Sequence, residues 1–272
     1  MGCNVNVSTF DKRATLHAID TVAKRLVDLV QGAPNLDLPV QACPGWTVAQ
    51  AFAHVVTVAP RYLHGARREG EWTRTAGELP ELNERELNRL DTRNVTTLAT
   101  QLRSSIAELA ALLDRLGDDQ PIFRFHGGAK VAADVTLGIL LGELVVHGWD
   151  IATALGHPWP IHPQHVELIQ QGLDPILPGW LDAERAAGHT GAYEVRLRGQ
   201  GTHRFAFVEG RLTTNPSASW RPDVIISADP ATFLLVVYKR RSQWPGVLTG
   251  RLTARGRRPW LAFSFAGRFH QP

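Results

Sequence analysis

The stretch from Asp134 to Leu155, DVTLGILLGELVVHGWDIATAL, is apolar on nearly every side of a helix and is broken mainly by Glu143, His147 and Asp150. A helix without a solvent face belongs at the centre of a bundle. Separations of four and three residues put the three ionisable side chains on one stripe of that helix. Their neighbours are Leu140, Leu141, Leu144, Val145, Val146 and Ile151, among which an ionised carboxylate is costly unless it is paired or coordinates a metal. Two readings are open at this point. The stripe is a hydrogen-bonded Glu–His pair that fixes packing, or it is part of a metal site.

Three further helical patterns supply the rest of a bundle. Leu16, Ile19, Val22, Ala23, Leu26, Leu29 and Val30 predict an amphipathic helix over 10–31, stopped by Gly32 and Pro34. Thr47 is an N-cap for a second helix with Val48, Ala51, Phe52, Val55, Val58, Ala59 and Tyr62 on one face. After a polar stretch over 69–81, leucines from Leu87 to Leu116 predict one long third helix ended by Gly117. His54 flanks the apolar face of the second helix and is the best candidate for a third ligand beside Glu143 and His147. Two histidines and one carboxylate leave a fourth position open, as in catalytic zinc sites, although the same set suits iron, nickel or manganese. Asp150 would then accept the free ring N–H of a ligand histidine, or merely close the helix end.

Beyond the proline-broken segment GHPWPIHPQH, a short helix is expected over 166–177. The period then changes to alternation. Tyr193, Val195, Leu197, Phe205, Phe207 and Leu212 predict a β-meander, followed by a strand over 224–227 and a helix capped by Asp229 with Pro230 at its first position. A strand over 248–253 and a final helix over 260–265 complete the pattern. The fold class is therefore α+β: a four-helix bundle over residues 1–160, a connecting segment over 161–190 and a smaller α+β domain over 191–272. Charge divides along the same line, since residues 1–191 hold 16 basic and 22 acidic residues and 192–272 hold 13 and 4. The basic C-terminal part suits an anionic ligand, nucleic acid or the acidic first domain.

Several classes are disfavoured. The two cysteines, Cys3 and Cys43, make neither a disulfide framework nor a cysteine-rich metal site, and Cys43 reads as a buried structural thiol. His157, His162 and His165 lie among prolines and read as solvated, and His126 in FRFHGGAK is a weak candidate for the bundle mouth. The N-terminus has no signal-peptide pattern, and the apolar run around 137–146 reads as too short to span a bilayer, which predicts a cytoplasmic protein without a membrane partner. Aromatics are not interleaved with the C-terminal arginines, so nucleic-acid binding ranks last.

The segments LPVQACPGWTVAQAFAHV and GELVVHGWDIATALG resemble the signatures of the mycothiol-dependent maleylpyruvate isomerase family, whose N-terminal domain is a DinB-like bundle. PATFLLVVYKRRSQWPGVLTGRLTARGRRPWLAF is similar to that family's C-terminal region, a sterol-carrier-like domain. The resemblance implies metal ligands at His54, Glu143 and His147, zinc as the ion, and mycothiol, a pseudodisaccharide thiol, as cosubstrate. It also implies a C-terminal arginine that helps bind an anionic substrate or thiol. Arg240, Arg251, Arg255, Arg257 and Arg258 are available, and Arg255 is preferred because LTARG can end a strand facing the bundle.

The function expected is a zinc- and mycothiol-dependent S-transferase that acts on a small electrophile or a thiol conjugate. The alternatives are a maleylpyruvate-type isomerase and a non-catalytic protein binding a metal and an apolar ligand.

Overall fold

The computed structural model describes residues 10–91, 93–216 and 221–270, so Cys3 lies outside the described residues. Helix α1 (Lys12–Gln31) buries Ile19, Val22, Leu26 and Val30 on one stripe. Helix α2 (Val48–Ala66) starts at Thr47, whose hydroxyl accepts from the Gln50 backbone while the Gln50 side chain accepts from the Thr47 N–H. That reciprocal cap satisfies two backbone donors that a helix start leaves orphaned.

The long leucine pattern is two helices rather than one, α3 (Leu79–Asn88) and α4 (Val95–Leu116). Asn94 accepts from the Thr97 backbone and so begins a new helix, and the Arg93 guanidinium donates to the Leu87 and Leu90 carbonyls at the end of α3. A hairpin of β1 (Ile122–Arg124) and β2 (Lys130–Ala132) follows, with FRFHGGAK supplying its turn.

Helix α5 (Thr136–Ala154) is the central element, and α1, α2, α4 and α5 form the bundle: α2 packs on α4 and α5, and α1 on α5 and α4. With a mean hydropathy of 1.3 over its span, α5 is long enough to cross a bilayer, contrary to the sequence expectation, but 72% of that window is buried against the rest of the chain. Helix α6 (Pro163–Leu173) starts earlier than expected because His162 caps it and Pro163 occupies its first turn. It crosses α5 at a glycine pair: a Cβ on Gly138 would lie 2.6 Å from the Leu168 carbonyl oxygen and 2.9 Å from the Gly172 Cα. The proline-rich segment between them is pinned by Trp159, whose indole packs on Gly148, donates to the Val145 carbonyl at 3.0 Å and lies under the Arg25 guanidinium.

After α7 (Ala183–Ala186) come β3 (Gly191–Leu197), β4 (Thr202–Val208), β5 (Arg211–Thr214), β6 (Val224–Ala228), α8 (Pro230–Val237), α9 (Gln243–Leu248) and β7 (Leu252–Gly256). The sheet order is β5-β4-β3-β6-β7. Strands β3 to β5 make the expected meander, but β6 inserts beside β3 in parallel, with Val195 opposite Ile226. Asp229 caps α8 and Pro230 opens it, as expected. The residues expected as a strand from 248 instead close α9, which Ser242 caps, and the strand begins at Leu252. The final helix expected over 260–265 is a 3-10 helix, Pro259–Ser264.

A buried polar cluster joins α6 to β4. His203 Nδ1 lies 2.7 Å from Asp174 Oδ2 and its Nε2 3.2 Å from Glu167 Oε2. Gly201, Gln170 and Asn215 donate to the same carboxylates.

A candidate metal and ligand site

Helix α2 presents His54 to the stripe of α5 that carries Glu143 and His147. His147 Nε2 is 3.2 Å from Glu143 Oε2, and His54 Nε2 is 3.8 Å from the same oxygen. The ligand-capable atoms of the three residues all lie within 4.8 Å of one another. Nitrogen and oxygen donors about 2.0–2.2 Å from a tetrahedral zinc stand roughly 3.3–3.5 Å apart, so this donor set fits such an ion with shifts below about 1.5 Å. His54 is only 3% exposed and its Nδ1 has no hydrogen-bond partner, so the imidazole is committed to this interior.

The groups behind the donors are tightly held. His147 Nδ1 lies 3.3 Å from Asp150 Oδ2, and the Asp150 side chain has 0% exposure. Arg240, just after α8, grips both Asp150 oxygens, with Nε 3.0 Å from Oδ1 and Nη2 2.8 Å from Oδ2. Burial would raise the Glu143 pKa, but hydrogen bonds with His147 and His54 override it and hold the carboxyl well below the usual range. Burial would lower that of His147; its contacts with Asp150, Cys43 and Glu143 win and push it well up. His54, where burial dominates, is shifted down.

The loop before α2 folds over this centre. Val40 N–H donates to the Trp46 carbonyl and Trp46 N–H to that of Cys43, while Gly45 takes a positive φ of 89°. Cys43 Sγ is thereby placed 3.9 Å from both His147 Nδ1 and Asp150 Oδ2, and the Trp46 ring 4.9 Å from the His54 ring. Cys43, Trp46, His54 and His147 line a cavity of about 330 Å³ together with Arg61 of α2, Asn83 of α3, Tyr238 and Arg240. Burial, with the Glu143 charge adding to it, raises the Tyr238 pKa, so its hydroxyl keeps its proton.

His54, Glu143, His147 and Asp150 thus come together, but Arg255 does not join them. It is exposed on the edge strand β7, opposite Ile225, and lies off the cavity. Arg240 stands at the site instead. A turn in which Lys239 has a positive φ of 55° follows α8 and returns the chain toward α5, a long-range placement that strand alternation cannot signal. Of the other candidates, Arg257 binds Asp223 and Arg258 donates to the Thr190 carbonyl.

Cys43, read as a structural thiol, lines the cavity half-buried. Arg61 was missed, although its position seven residues after His54 on α2 was a usable signal. His126 is buried between Trp72 and Phe125 and is not part of the cavity lining. His162 caps α6 and touches the ring of His165. Among the described residues, the one other donor group close enough to hold an ion is Cys43, His147 and Asp150, which shares His147.

A family model described as the mycothiol maleylpyruvate isomerase N-terminal domain matches residues 16–152. Among solved structures, the mycothiol-dependent maleylpyruvate isomerase superposes with a TM-score of 0.52 at 18% identity, over 89% of this chain and 92% of that one. A histidine-to-alanine mutant of that enzyme gives 0.53 at 19%, with the same coverage. No curated protein matches the chain.

Proposed function

The chain belongs to the mycothiol maleylpyruvate isomerase family, and from that premise we propose that it is a zinc- and mycothiol-dependent S-transferase acting on a small electrophile. The observation that carries this reading is the convergence of His54 Nε2, Glu143 Oε2 and His147 Nε2 in the wall of a cavity of about 330 Å³. In this reading residues 1–160 are the metal-binding unit, 161–190 join it to the remainder, and 191–272 close the cavity through Tyr238 and Arg240.

The three side chains would hold the ion, and a zinc ion there would lower the pKa of a thiol so that the nucleophilic thiolate exists at neutral pH. Asp150, fixed by Arg240, holds the Nδ1 side of His147 and so aims Nε2 at the donors. Trp46 and the Cys43 loop form part of the cavity wall. Tyr238, keeping its proton, offers a hydrogen bond to negative charge that develops on the electrophile. Attack on an electrophilic carbon forms a C–S bond. Departure of another group with its electron pair completes a transfer.

The isomerase reading has its own support, since both superposed structures are of a mycothiol-dependent maleylpyruvate isomerase. There the same thiol would leave again after bond rotation. The apolar-ligand reading is weaker, because the apolar cavity bounded by Leu173, Trp180, Phe205, Phe233 and Phe265 measures only about 60 Å³. That is room for roughly two water molecules, not for a sterol.

The test is the metal content of the reduced, chelator-free protein and of His54→Ala, followed by titration with mycothiol. One zinc per chain in the wild type, lost in the variant, is expected, with mycothiol binding only where metal is present. A wild type without stoichiometric metal overturns the reading. Mass spectrometry of mycothiol incubated with enzyme and either maleylpyruvate or an alkylating electrophile then separates isomerisation from a stable thioether.

A further inference from the structure

The cavity extends well past the three donors. Arg61 follows His54 by seven residues on α2, two helical turns or about 10 Å along the same face, and both side chains line the cavity. The Arg61 side chain is only 7% exposed. Its Nη2 binds Glu86 and donates to Asn83 Oδ1 at 2.9 Å, while its Nε is enclosed without any hydrogen-bond partner. The guanidinium is thus fixed by these two acceptors at the cavity wall. Asn83, which accepts from Arg61, and Glu84, both from α3, also line the cavity.

The charges at this end select the kind of ligand. Arg61 is matched by Glu86 and Arg240 by Asp150, so neither guanidinium stands as free positive charge. Glu84 adds a further carboxylate. An anionic group here would meet two carboxylates. A hydroxyl accepts from the Asn83 amide and donates to Glu84. An uncharged, hydroxyl-rich group satisfies both.

Resting on the reading of this cavity as a thiol site, we propose that Arg61, Asn83 and Glu84 form a second binding pole about 10 Å from the donors along α2. The pole takes the sugar-like remote end of the thiol and selects a glycosidic thiol over an anionic one.

The experiment titrates zinc-supplemented wild type, Asn83→Leu and Arg61→Lys with mycothiol, glutathione and N-acetylcysteine, and measures metal content and thermal melting of each. The wild type is expected to bind mycothiol at least tenfold more tightly than either acidic thiol. Asn83→Leu is expected to lose about tenfold for mycothiol alone, with N-acetylcysteine binding and metal content unchanged. It leaves the Arg61–Glu86 pair in place, so it carries the test should Arg61→Lys fail to fold. Glutathione binding as tightly as mycothiol, or mycothiol binding unmoved in Asn83→Leu, overturns the second pole and leaves the metal centre standing. Failure of the metal-loaded wild type to bind any thiol overturns the pole together with the thiol reading beneath it.

Discussion

Replacing His203 with glutamine removes the cation from the cluster that joins α6 to β4. The imidazole is 4% exposed and lies between Asp174 and Glu167. Burial pulls its pKa down, but the hydrogen bonds with Asp174 and then Glu167 outweigh it and push the value from 6.5 up to about 9. A folded value above the unfolded one means that the protonated form stabilises the fold. The contribution is complete below 6.5 and is lost as pH rises through about 9. At roughly 1.4 kcal/mol per pH unit, that interval is worth about 3 kcal/mol. Urea unfolding of wild type and His203→Gln at pH 6 and pH 10 reads it directly. The wild type should lose about 3 kcal/mol more than the variant between the two, so that the variant is clearly weaker at pH 6 and the two converge at pH 10. Comparing the two proteins cancels the tyrosines and lysines that also titrate at high pH. Parallel profiles would refute the assignment of this pH dependence to the cluster.

Arg240→Met should cost about 3 kcal/mol in chemical denaturation, because it leaves the fully buried Asp150 carboxylate with His147 as its one remaining close ionic partner among the described residues, and adding Asp150→Asn should recover part of the loss. Gly148→Ala should cost about 1–3 kcal/mol by the same measurement, since its Cβ would lie 2.2 Å from the Trp159 indole, which is anchored to the Val145 carbonyl. Thr47→Ala removes the reciprocal cap of α2 and should cost about 1 kcal/mol in a thermal melt fitted at constant pH.

The central helix was legible because its penalty is local: a glutamate and a histidine one turn apart, with leucine and valine around them, demand a partner wherever the chain goes. The caps at Thr47 and Asp229 were legible for the same reason, being decided within three residues. The break between α3 and α4 was not, because the leucine period runs through it and only the side chains of Asn94 and Arg93 end one helix and start the next. The parallel insertion of β6 escaped because alternation reports which face a residue takes and says nothing of which strand lies alongside.

Cys43 and Arg240 reach Asp150 from 107 and 90 residues away, separations that carry no periodic signal. The basic C-terminal part had suggested a face for an anion. Within it, Arg196 and Arg204 pair with Glu194 and Arg257 with Asp223, while Arg198 donates to the Gly250 and Arg251 carbonyls.

The 90 residues between Asp150 and Arg240 are also an interval of time. A ribosome adding about 5–20 residues per second needs roughly 5–20 s to cover them. His54, Glu143 and His147 have all been synthesised before that interval begins, whereas Tyr238 and Arg240 arrive at its end. The residues from α2 and α5 that line the cavity therefore precede by that interval the wall that Tyr238 and Arg240 complete.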